Sequence, residues 1–185
     1  MADLSSSQTP RRLARLRDRV ADLTKRLPGR VRLTGGFEHA IMALTAALTA
    51  YLPTRYLGLH EGFWAAITAI AVVQTRYDAT RNTARDQFTG AAIGGVVGSL
   101  LASCFGQQLW CYALAVMLAI LICWTANIAS AARLAGITAT IILLVPHQNS
   151  AAAMMVARVS EVGWGVCCAV AVVWVAHRLR PDTDK

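Results

Sequence analysis

The sequence predicts an all-α fold: a polytopic helical membrane protein with about six transmembrane helices, preceded by a basic amphipathic helix. Three observations predict it. Hydrophobic residues make up 56% of the 185-residue chain and charged residues 15%, too few charges for a soluble domain of that apolarity. Residues 87–132 form a run of 46 without a single charge. At ~1.5 Å per helical residue that run is about twice what a ~30 Å hydrocarbon layer needs, so it reads as two spans joined by a short turn. Finally, nine of the eighteen bases fall between Arg11 and Arg32, ahead of the apolar part.

Three regions follow: a basic cytoplasmic arm at 1–35, a six-helix transmembrane domain at 36–176 and a short cytoplasmic tail at 177–185. The arm, "RRLARLRDRVADLTKRLPG", places Leu13, Leu16, Val20, Leu23 and Leu27 at alternating steps of 3 and 4. That is coiled-coil spacing, but Arg12, Arg19 and Arg26 recur every seven residues and would set like charges along a parallel seam. A helix lying on an anionic inner leaflet accommodates them better; a coiled coil and a disordered basic tail are the alternatives. The N-terminus lacks the apolar core and cleavage site of a signal peptide, so the first span is expected to be the uncleaved insertion signal. No aromatic residue is interleaved with these bases, and nucleic acid is not an expected partner.

The apolar segments lie at 37–52, 60–74, 88–105, 109–128, 134–146 and 151–176, with turn residues at Pro53, at Gly106-Gln107-Gln108 and at Pro146-His147-Gln148-Asn149. Several fall short of the usual ~20 residues, so their charged ends are expected in protein-lined or hydrated places. Loops rich in Lys and Arg stay in the cytoplasm. With the N-terminus inside, sixteen bases are cytoplasmic, Arg55 is outside and Arg158 lies within the last span. Both termini are therefore expected in the cytoplasm. Cys104, Cys111, Cys123, Cys167 and Cys168 sit in apolar segments without metal or redox spacing; they read as small apolar fillers, with no metal or cofactor expected.

In "RDQFTGAAIGGVVGS", Gly90, Gly94 and Gly98 repeat every four residues and line one face of the third span. Another helix can approach that face at backbone distance. In "ARVSEVGWG" of the sixth span, Arg158 and Glu161 are three residues apart and share a helical face. Glu161 stands ~15 Å in from Ala151, where an unpaired charge costs at least ~2.5–3.5 kcal/mol. The pair must face the protein interior or a water-filled cavity, either as a structural ion pair or as an anion site whose Arg is tuned by Glu161. Polar stripes recur elsewhere: Glu38, Thr45 and Thr49 in the first span, Glu61, Trp64 and Thr68 in the second, Arg133, Thr140 and His147 in the fifth. His60, Glu61, His147 and Glu38 are candidates for proton exchange. The chain carries no HExxH, GxSxG or P-loop, so an enzyme is not expected.

"EGFWAAITAIAVVQTRYDATRNTARDQFTGAAIGGVVGSLLA" resembles the fusaric acid resistance and aromatic acid exporter family. The resemblance rests on a Phe-Trp-Ala opening of a span, a polar stretch ending in Arg81 and Arg85, and the glycine-rich span beyond; "VARVSEVGWGVCCAVAV" is similar to the family's last span. It implies efflux of aromatic or other organic carboxylates across the bacterial inner membrane, driven by the proton gradient. The superfamily is also similar to plant malate channels, so passive conduction is an alternative, and a non-transporting scaffold is another. The family pattern carries over onto Arg81 or Arg85 and onto Arg158 and Glu161; Arg133 and Thr140 would continue the path to the cytoplasm. A single six-span unit implies a homo-oligomer, a dimer being favoured, with the lipid bilayer and a small organic anion as its other partners.

Overall fold

A computed structural model describes residues 29–58, 61–145 and 150–179 of the chain. The leucines and arginines of the arm up to residue 28, and His60 and His147, lie outside the described residues. The described residues form six α-helices and no strand: α1 Gly29–Tyr56, α2 Phe63–Val72, α3 Tyr77–Phe105, α4 Leu109–Thr125, α5 Ala132–Leu144 and α6 Ala151–Leu179, with a 3-10 turn at Ala129–Ala131 before α5. The chain divides into two compact units, 1–38 and 39–185. In the first, residues 29–38 are helical and their described side chains exposed.

Within the second unit, helix ends depart from the sequence expectation where side chains or backbone bonds intervene. Pro53, expected in a turn, lies inside α1. The helix ends beyond it: Leu57 N–H donates to the Pro53 carbonyl, Gly58 N–H donates to that of Arg55, and Gly58 adopts φ 71°, a conformation that costs glycine little. Residues 77–87, expected as a polar loop, are the opening turns of α3. Thr80 explains the difference. Its fully buried hydroxyl accepts from Gln74 N–H at 3.0 Å and lies 3.2 and 3.1 Å from the carbonyls of Gln74 and Arg76, which staples the α2–α3 connection to the start of the helix. Asp78 in the first turn suits the positive end of the helix dipole. After α4, Asn127 takes φ 60°, a left-handed conformation that asparagine tolerates, and the chain reverses into α5.

Pairwise contacts fix the helix directions. Along α3 and α5, Gly90 meets Ala131, Gly94 meets Ala135 and Gly98 meets Ala139; both numbers rise together, so these helices run parallel. Gly163 of α6 meets Phe88, and Gly95 meets Met155 and Val159, so α3 and α6 are antiparallel. On α4, Cys111, Ala115, Ala119 and Cys123 are fully buried at steps of four. They cluster with Leu143, Ala139, Ala135, Ala132 and Ala131 in descending order. The helix α5 is therefore held on two sides by small residues. Helix α2 runs with α6, where Gly165 packs onto Ala65 and Thr68, and α1 joins them through Met42, Ala46 and Ala50 and a 3.0 Å bond from Trp164 Nε1–H to the Ala50 carbonyl.

Helices α3 and α6, each 29 residues long, are long and apolar enough to cross a membrane. Their most apolar stretches are 39% and 22% buried, whereas a core helix of a soluble domain hides most of its surface. Their remaining apolar faces match hydrocarbon rather than water.

The packing sets Gly94 apart from Gly136. A Cβ on Gly94 would collide with the Ala135 backbone, while one on Gly136 would stand 3.7 Å from Ile120 and Val116. Gly94→Ala is expected to lower stability by about 1–3 kcal/mol. Gly136→Ala is expected to be neutral or stabilising by up to about 1 kcal/mol, measured as thermal unfolding of both variants in the same detergent.

Candidate functional site

A cavity of about 280 Å³ lies between α2, α3, α5 and α6. Its walls are apolar through Ile67, Ala71, Ala91, Leu134, Ile137, Ile141 and Val162, and they carry two guanidinium groups, Arg158 and Arg133. The parallel and antiparallel packing orders the lining. Trp64, Ile141 and Arg158 belong to one end, and Ala71, Gln87 and Arg133 to the other. From Arg133 to Ile141 the α5 wall spans ~12 Å.

Arg158 is 4% exposed, and its Nη1–H donates to Glu161 Oε2 at 2.8 Å. The i,i+3 spacing on α6 makes this contact available to any rotamer that leans along the helix. The guanidinium carbon also lies 4.0 Å from the centroid of the Trp64 ring, a cation–π distance. The Nε of Arg158 is buried with no hydrogen-bond partner. Glu61, just ahead of α2 and exposed, lies within electrostatic reach of both members of the pair. Buried ion pairs are costly to desolvate and need further partners; here an aromatic face supplies one, and the buried Nε–H is left without an acceptor.

The other sequence-derived candidates separate in space. Arg133 is exposed and reaches the cavity. Thr140 does not: its hydroxyl donates to the Gly136 carbonyl at 2.8 Å, and Thr138, two residues earlier, lines the cavity in its place. The α5 lining pairs Arg133 with Leu134 and Ile137 with Thr138, which centres it to one side of Arg133, and Thr140, seven residues on from Arg133, falls just beyond that edge. Arg81 and Arg85 are exposed on the first turns of α3 and are absent from the lining. Glu38 is exposed. Thr45 and Thr49 do not form an inward stripe: both are exposed, with hydroxyls donating to the carbonyls of Ile41 and Thr45. Gly90, Gly94 and Gly98 hold α3 against α5 and stand outside the lining. Sequence reasoning missed Gln87 and Thr138, buried polar residues of the lining. Gln87 had a signal, since it opens the uncharged run; Thr138 had none among its apolar neighbours.

Because Arg158 is buried and Glu161 largely so, the two depend on each other. Arg158→Leu or Glu161→Leu alone is expected to cost about 3–5 kcal/mol by stranding the remaining charge, and the double Leu variant is expected to be substantially less destabilised than either single one. Thermal unfolding of the three variants measures this coupling.

The family described as fusaric acid resistance protein-like matches residues 44–172. An uncharacterized protein ORF2 of Neisseria gonorrhoeae is 31% identical over 68 residues, which are 37% of this chain and 16% of that relative's length. No solved structure matches. The matched span runs from the middle of α1 into α6 and takes in the whole cavity. The chain belongs to the fusaric acid resistance protein-like family.

Proposed function

We propose that the chain is a six-span subunit of an inner-membrane transporter, with both termini in the cytoplasm, which exports aromatic or other organic carboxylates as a homo-oligomer, a dimer being favoured. The observation that carries this reading is the cavity itself: mostly apolar walls around a buried Arg158 with a free N–H, and a second guanidinium at the far end. An amphipathic anion needs both kinds of surface. The volume lies just below the ~300–1,000 Å³ range usual for small-molecule sites, which suits a one-ring acid. Trp110 and Trp124, near the two ends of α4, are ~21 Å apart along the helix and exposed, as tryptophans at opposite membrane interfaces are.

In this reading Arg133, with the exposed Arg81 and Arg85, draws the anion from the cytoplasm by charge. Arg158 receives its carboxylate, and Glu161 sets the local field and carries the coupling proton. Glu61, His60, His147 and Glu38 are the groups through which that proton exchanges. The lining extends ~12 Å along α5, less than the membrane thickness, so a second copy completes the path.

Flux of a radiolabelled aromatic carboxylate from proteoliposomes, with and without a pH gradient, tests the proposal. Gradient-dependent flux is expected, abolished in Arg158→Gln and reduced severalfold in Arg81→Gln/Arg85→Gln. Flux indifferent to the gradient would make the protein a passive anion channel. No flux of any aromatic or dicarboxylic anion from folded, oligomeric protein would leave the scaffold reading.

A further inference from the structure

We infer that Trp64 is the positioning residue of the anion site: it fixes the Arg158 guanidinium so that the Nε edge addresses the ligand, and it thereby sets affinity for the carboxylate group rather than preference for an aromatic ring. The inference rests on the transport reading above. A guanidinium is planar, with five N–H donors in one plane and two flat faces. At Arg158 one in-plane donor is engaged by Glu161 at 2.8 Å and a face is covered by Trp64 at 4.0 Å. One restraint acts within the plane and the other across it, and together they hold the group's orientation. Of the four N–H groups not held by Glu161, the Nε–H is buried and without an acceptor.

A buried N–H of a charged group without an acceptor is costly, so an incoming acceptor is favoured by what it restores. A carboxylate meets such an edge with two oxygens, one on Nε and one on the neighbouring Nη, in a forked, charge-assisted pair. The indole face that would otherwise stack on a ligand ring is occupied by the guanidinium, and the ring of Phe63 lies 5.0 Å from the indole, tilted by 32°. The body of the ligand is left to Ile67, Ala71, Ala91 and Ile137. These side chains respond to shape and apolarity, and an aromatic and a saturated ring of similar size satisfy them alike.

Isothermal titration of the purified chain in lipid nanodiscs with benzoate and with cyclohexanecarboxylate tests this, on the wild type, Trp64→Leu and Trp64→Phe. Trp64→Leu is expected to weaken both acids by one common factor of about tenfold, leaving their ratio unchanged. Trp64→Phe, which keeps an aromatic face, is expected to recover most of that loss for both. If Trp64→Leu fails to fold, Trp64→Phe decides alone, with a shared weakening of about threefold expected. A loss confined to benzoate overturns the inference and makes Trp64 a stacking platform. Unchanged affinity for both acids in the variants overturns it as well, and leaves the transport reading standing. Wild-type protein that binds neither acid removes the carboxylate reading and the inference together.

Discussion

The approach of α3 to α5 at backbone distance is the constraint on which the site depends. Lipid tails are as apolar as leucine, so helices in a membrane gain little from hiding apolar surface and rely on close packing. Gly94 set directly against Ala135 supplies it. The other side of α5 is taken by Cys111, Ala115, Ala119 and Cys123 of α4. With two faces committed to small-residue contacts, the third face of α5, which carries Arg133, Ile137, Thr138 and Ile141, is the one left to line the cavity. The position of the lining thus follows from where side chains are small.

Within that cavity the choice of arginine has a physical basis. A lysine ammonium is a strongly hydrated point charge and loses much of its stabilisation when taken from water. The guanidinium spreads its charge over a plane, so Arg158 can divide it between a carboxylate at its edge and an indole at its face. The two partners come from different helices, Glu161 from α6 and Trp64 from α2. Helix α2 is thereby joined to α6 by a contact to the charge as well as by the packing of Gly165 onto Ala65.

What was legible in the sequence is what depends on local spacing. The four-residue repeat of Gly90, Gly94 and Gly98 places them on one face, and the step from Arg158 to Glu161 brings that pair within reach, whatever surrounds them. Helix ends were less legible, because they are set by interactions that composition hides. Thr80 reaches back six residues to Gln74 and turns an apparently polar loop into helix, while Pro53 reads as a breaker and is carried inside the last turn of α1. The cavity was the least legible. Thr140 and Thr138 are equivalent by type, and their separation depends on which face of α5 the glycines and cysteines of other helices have already claimed. The meeting of Trp64 with Arg158 spans 94 positions of chain, which no local pattern encodes.

The shortness of α2 and α5 has an electrical consequence. They have 10 and 13 residues, or ~15 and ~20 Å of helix, against a hydrocarbon layer of ~30 Å. If water reaches both ends of the cavity they wall, the transmembrane voltage falls across a distance shorter than the bilayer, and the field there is steeper than in the surrounding lipid. Each elementary charge crossing it exchanges ~2.3 kcal/mol per 100 mV. With the cytoplasm negative, that work favours an anion moving outward.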